Sequence, residues 1–108
     1  MAVEVSRWIA QALKVASRST HPRHRLGALV LRGGHVVASA CNTGRWHRCA
    51  ERRALRPHGD WVGCTLLVVR LGGRCSKPCL GCQLAIKEAG IKEVFYVNEK
   101  GDLCSSLW

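Results

Sequence analysis

A chain of 108 residues carries one domain with a modest core, residues 1–108 together. Seventeen Lys and Arg against seven Asp and Glu give a net charge of +10, which favours anionic partners such as nucleotide phosphates or a polynucleotide. Met1 to Arg7 carries charges and no long apolar run, and seven cysteines are an odd count, so a secretory signal, a membrane span and a disulfide framework are all disfavoured and a cytoplasmic location is expected.

In chain order, residues 4–18 read as an amphipathic helix. Val5, Trp8, Ile9, Ala12, Leu13 and Ala16 share one face at 3.6-residue spacing, and Arg7, Gln11, Lys14 and Arg18 another. Ser19-Thr20-His21-Pro22 ends it, because the residue before proline is pushed out of the helical region. Leu26–Leu31 and His35–Cys41 read as strands joined by a turn at Gly33-Gly34. After a loop at 42–47, a short helix is expected from near Arg48 to before Pro57. The apolar run Val62–Val69 predicts a strand buried on both faces. Residues 79–89 predict a helix with Pro78 at its start and Gly90 as its stop. Ile91–Val97 predicts a last strand, followed by a polar tail from Asn98 to Trp108. The order α-β-β-α-β-α-β implies a mixed four-stranded sheet with helices on both faces. Its strand–helix–strand crossovers are expected to make the third and fourth strands parallel to their neighbours.

Two of these segments carry chemistry. Cys49-Ala50-Glu51 and Pro78-Cys79-Leu80-Gly81-Cys82 provide three thiolates and one carboxylate. Three sulfur ligands leave the fourth tetrahedral position of a zinc ion open, as a catalytic site requires. Each ligand segment is expected at a helix start, where unpaired N–H groups and the dipole favour thiolate over thiol. Glu51 is no ligand and is placed to move protons. Cys41, Cys64, Cys75 and Cys104 remain, and Cys41 and Cys64 are best read as small buried apolar side chains. Arg18, Arg23, His24, Arg25, Arg45, Arg48, Arg52, Arg53 and Arg56 are basic residues near the first strand or the first ligand, and several are expected around one pocket mouth.

The paired motif resembles the zinc deaminases, whose pattern is H-x-E…P-C-x-x-C with a Cys₃ variant. Cys41-Asn42 and Cys49-Ala50-Glu51-Arg52 are similar to the three-cysteine nucleoside cytidine deaminases, and Cys79 to Val97 to deoxycytidylate and tRNA-type deaminases. With Leu26-Gly27-Ala28, the matches cover residues 4–98. The resemblance implies the cytidine-deaminase-like three-layer α/β/α sandwich, with a mixed sheet of about four to five strands. It implies a zinc-dependent hydrolase that converts a cytosine nucleoside or nucleotide to its uracil form, with Glu51 as base and then acid. It assigns Arg52 to donate hydrogen bonds to the ligand thiolates, since three of them leave zinc with a formal charge of −1. It assigns Asn42 to the sugar and Gly27-Ala28 to the base edge. Gly44 stands where nucleoside deaminases have a second sugar-binding Glu. His47 is near enough to Cys49 to touch substrate, and Trp46 is suited to stack a base. The family usually continues with another strand or helix beyond residue 98, so a second copy is expected to cover an edge or helix face, as a homodimer or homotetramer.

Three other readings use the same residues. Deamination of cytosine or adenine within single-stranded DNA or RNA would suit the charge of +10. A structural zinc closed by Cys75 or His47 would make a non-catalytic, basic nucleic-acid-binding module, but that module has no use for Glu51. The spacing of Cys75, Cys79 and Cys82 fits a radical iron–sulfur motif, yet those enzymes use barrels of about 250 residues.

Overall fold

A computed structural model of the chain describes residues 2–21, 23–43, 49–55, 59–72, 75–98, 100 and 102–106, with side chains except those of residues 2–6 and Arg52. The elements in order are α1 (Ala2–Ala16), β1 (Leu26–Arg32), β2 (His35–Cys41), α2 (Ala50–Ala54), β3 (Thr65–Arg70), α3 (Leu80–Ala89), β4 (Glu93–Val97) and β5 (Leu103–Ser106). One sheet holds all five strands in the order β2-β1-β3-β4-β5. Among the described residues no helix is long and apolar enough to cross a membrane.

The alternation of side chains along β1 and β3 creates two cores. Ala28, Val30, Leu66 and Val68 point to one face, where they bury Ala50 and Ala54 of α2 and Ile86 of α3. Leu29, Leu67 and Val69 point to the other, against Ala12 and Val15 of α1, with Trp8, Ile9 and Leu13 beside them. This is the expected α/β/α sandwich. Each fully buried Leu or Val, such as Leu29, Leu66 and Val68, contributes roughly 1.5–3 kcal/mol. Cys64 is fully buried as expected, while Cys41 is only half-buried.

Gly27 decides how closely α1 approaches the sheet. A Cβ there would stand 2.7 Å from the Ala16 backbone nitrogen, 3.2 Å from Ala16 Cα and closer still to the Ala12 carbonyl oxygen. The helix backbone lies directly on this strand position, and only glycine leaves room for it.

Three expectations are corrected. β3 is antiparallel to β1, with Leu29 opposite Leu67, and is parallel only to β4. The crossover through α2 does return parallel to β2, but β1 is already paired beside β2 and lies between the two. Residues 62–64 do not join β3: Gly63 takes φ 77 and its N–H donates to the Gly90 carbonyl at 2.9 Å, which turns the chain and leaves Val62 71% exposed. The polar tail contains a fifth strand, antiparallel to β4 with Tyr96 opposite Cys104. Asn98 makes that turn: its Oδ1 accepts from the N–H groups of Lys100 and Asp102, both at 2.9 Å. β5 therefore covers the edge of β4.

Candidate metal centre

The site is built where β2 and β3 end. Both are antiparallel to β1, so Cys41, Arg70 and the start of β1 come to the same side: Leu26 lies opposite Arg70, and Gly27 opposite Cys41. Each strand then hands its chain to a helix on the same face of the sheet. Cys49 is the N-cap of α2 and Cys79 the N-cap of α3, with nearly equal extended backbones (φ −65, ψ 147 and φ −68, ψ 166). Cys82 sits three residues into the α3 segment, on the face shared with Cys79. The three sulfurs lie within 4.8 Å of one another. Zn–S bonds of about 2.3 Å at tetrahedral angles need sulfurs about 3.8 Å apart, so a small contraction closes this set on a zinc ion. Three soft thiolates from two helices are also the donor chemistry that zinc prefers.

The local electrostatics await a cation. The Cys79 sulfur makes no formal capping bond, yet the backbone N–H of Cys82 faces it closely enough to lower its pKa, against the opposing effect of burial. Burial pushes the Cys82 thiol far up, and the Glu51 carboxylate and then the Cys49 thiol add to it. A bound dication would reverse the balance at Cys82 and lower the Cys79 thiol further. Backbone N–H groups of Gly81 and Cys82 also draw charge from the Cys79 sulfur, which helps offset the third thiolate.

Glu51 occupies the first turn of α2 and is 4% exposed. It lines, with Cys49, Cys79 and Cys82, a cavity of about 350 Å³. Leu26, Asn42, Thr43, Cys75 and Ser76 line the same cavity, and His21, His24, Arg70 and Lys77 add basic side chains to it.

The sequence-derived site residues divide clearly. Cys49, Glu51, Cys79, Cys82 and Asn42 come together in this cavity. Asn42 is buried there, but its side chain is tied inward: Oδ1 accepts from Ser19 Oγ (2.6 Å) and the Leu26 N–H (2.9 Å), and Nδ2 donates to the His24 carbonyl (2.5 Å). Gly27 faces α1 across the sheet, and Ala28 is fully buried between the sheet and α2; neither lines the cavity. Pro78 is buried one residue before the N-cap, rather than inside the helix, and its carbonyl accepts from Gln83 Nε2 at 2.9 Å. Trp46 and His47 lie outside the described residues, as do the side chain of Arg52 and all of Gly44, Arg45, Arg48 and Arg56. Of the basic residues expected at the mouth, His24 lines the cavity, while Arg53 Nη1 donates to the Cys41 carbonyl at 2.7 Å and binds α2 to β2. Sequence reasoning missed His21, Arg70, Lys77 and Ser76. The first three carried only the general signal of positive charge, and Ser76 carried none.

A family model for the cytidine and deoxycytidylate deaminase zinc-binding region matches residues 3–98. The chain belongs to that family. It is a zinc-dependent hydrolytic deaminase. Its fold is similar to that of a dCMP deaminase from the cyanophage S-TIM5, 24% identical, with a TM-score of 0.70 over 90% of this chain and 83% of that one. It is equally similar to a cytidine deaminase from Burkholderia pseudomallei, also 24% identical, with a TM-score of 0.70 over 94% of this chain and 91% of the other. RibD from Acinetobacter baumannii, 24% identical with a TM-score of 0.68, matches 91% of this deaminase within 28% of its own length. No curated protein sequence shows significant similarity to the chain.

Proposed function

We propose that this deaminase hydrolyses the exocyclic amine of a cytosine nucleoside 5′-monophosphate, giving the uracil nucleotide and ammonia. The observation that carries the reading is one cavity lined both by Glu51 and three thiols and by His21, His24, Arg70 and Lys77. The carboxylate and thiols suit the reaction of an uncharged base, and the basic side chains suit a phosphate. The cyanophage dCMP deaminase, similar in fold, has been solved in complex with dCMP and dUMP.

Cys49, Cys79 and Cys82 would hold zinc, which would supply the electrophile that makes water acidic near neutral pH. Glu51, buried in the same cavity as the three thiols, accepts the proton of the attacking water and delivers it to the pyrimidine ring nitrogen. After attack at the carbon bearing the amine, Glu51 takes the proton of the new hydroxyl and passes it to the departing nitrogen, so that the C–N bond breaks, ammonia leaves and a C=O bond remains. A single carboxylate acts first as base and then as acid. Asn42 ties the segment carrying His21 and His24 to the end of β2.

Ammonia release should be measured for cytidine, deoxycytidine, their monophosphates and a short cytosine oligonucleotide, each at two salt concentrations. The proposal expects monophosphates to have the highest kcat/KM, with a gentle salt dependence. The charge of +10 makes the oligonucleotide the main rival. Oligonucleotide turnover whose affinity falls by about 0.7 log units per phosphate for each log unit of salt, with monomers inert, would move the substrate assignment to single strands.

A further inference from the structure

Ser76 lies where β3 and β4 separate. Their parallel ladder has three positions, Thr65–Glu93, Leu66–Val94 and Leu67–Phe95. Past Leu67 the strands no longer pair, and Ser76 is inserted between them. Its Oγ donates to the Val68 carbonyl at 2.7 Å and accepts from the Val97 N–H at 2.8 Å. Its own N–H donates to the Val97 carbonyl at 2.8 Å. Ser76 is 2% exposed, so water does not readily replace these partners. Residues 75–79 belong to no helix or strand. Such anchors hold them in place, and Ser76 stands three residues before Cys79. A second anchor, from Gln83 Nε2 to the Pro78 carbonyl at 2.9 Å, holds the segment two residues after Ser76.

We infer that Ser76 is a positioning residue for zinc: it locks the segment that carries Cys79 to the carboxyl ends of β3 and β4. Of the three ligands, Cys79 alone is exposed and sits at the end of this segment, whereas Cys82 is buried in α3. Without the hydroxyl, the Val68 carbonyl and Val97 N–H lose their buried partner and the segment loses its register against the sheet. The Cys79 sulfur then spends less time within ligand distance of Cys49 and Cys82. Hydrogen-bonded groups behind the ligands of a metal have this effect in general.

The test is the zinc affinity of the full chain, measured by competition with a chromogenic chelator, for wild type, Ser76→Ala and Ser76→Thr. The expected result is a loss of about 10–100-fold for Ser76→Ala, with recovery to within about threefold of wild type for Ser76→Thr. Val15→Ala, on the α1 face of the sheet, is the control for lost stability: it should lower Tm and leave zinc affinity unchanged. Unchanged affinity in Ser76→Ala, or an equal loss in Val15→Ala, overturns the inference. If Ser76→Ala does not fold, amide exchange in wild type decides the matter, because coupling between zinc and the Ser76 anchor is reciprocal. Stripping zinc should speed exchange of the Val97 N–H more than that of Val30, and equal changes overturn the inference. The inference rests on the three-cysteine zinc site. Wild-type protein that binds no zinc would remove that site, whereas tight wild-type binding with an indifferent Ser76→Ala removes only the role of Ser76.

Discussion

Gly27→Ala separates a packing role from a substrate role at one atom. Family resemblance places Gly27 against the base, and the structure places it under α1. The added methyl would sit 2.7 Å from Ala16 N and 3.2 Å from Ala16 Cα, with the Ala12 carbonyl nearer still. All three are backbone atoms, so no rotamer change relieves the overlap, and α1 must move as a body. Overpacking of this kind costs about 1–3 kcal/mol, and rigid neighbours put the value near the top. The smaller entropy of the unfolded alanine chain returns about 0.4–1 kcal/mol. A net loss of about 2 kcal/mol in a domain of this size lowers Tm by about 8–16 °C. The assay is thermal unfolding by circular dichroism at a fixed zinc concentration, since bound metal itself raises Tm. KM measured well below the new Tm should equal the wild-type value. A Tm within about 3 °C of wild type together with a raised KM would refute the packing argument and return Gly27 to the substrate wall.

Other residues give sharper functional contrasts. Glu51→Gln should retain one zinc per chain and a near-native Tm while kcat falls by about 10²–10⁴; elemental analysis beside ammonia release checks both, and near-normal turnover would remove Glu51 from the chemistry. Cys82→Ala should lose zinc and lower Tm, and chelator treatment of wild type should lower Tm similarly, because the metal ties α2 to α3. Zinc affinity should rise with pH through the neutral range. Burial and Glu51 raise the Cys82 thiol, so it keeps its proton without metal and must release it on binding, which tightens binding about tenfold per pH unit for each proton lost. A flat affinity between pH 6.5 and 7.5 would show that the thiol is already ionised. Lys77→Gln should raise KM for a cytosine monophosphate and leave that for the nucleoside unchanged; equal effects on both would take Lys77 off the phosphate.

The cysteine cluster was legible because its chemistry is local. A Cys-Ala-Glu triplet and a Pro-Cys-x-x-Cys stretch each place their side chains within one helical turn, whatever surrounds them. The two-sided burial of β3 and the amphipathic face of α1 were equally local, being matters of period. β5 escaped notice because a four-residue strand, half-exposed on alternate positions, differs little in composition from a loop. It forms because β4 offers an open edge and Asn98 turns the chain back to it.

Residue types alone determined that this chain could hold zinc beside a carboxylate, and that it carries an excess of positive charge. Tertiary structure decided which charges those are. His21 and His24 from one loop, Arg70 from the end of β3 and Lys77 from the approach to α3 are up to 56 positions apart in sequence (77 − 21), yet they line one cavity. It also decided that Gly27 serves a helix, that Asn42 ties down a loop, and that Ser76 stands between two parting strands. The reason is physical: a ligand motif is fixed by bonds a few residues long, whereas a cavity lining and a buried hydrogen-bond anchor exist only after the sheet has paired and its strands have diverged.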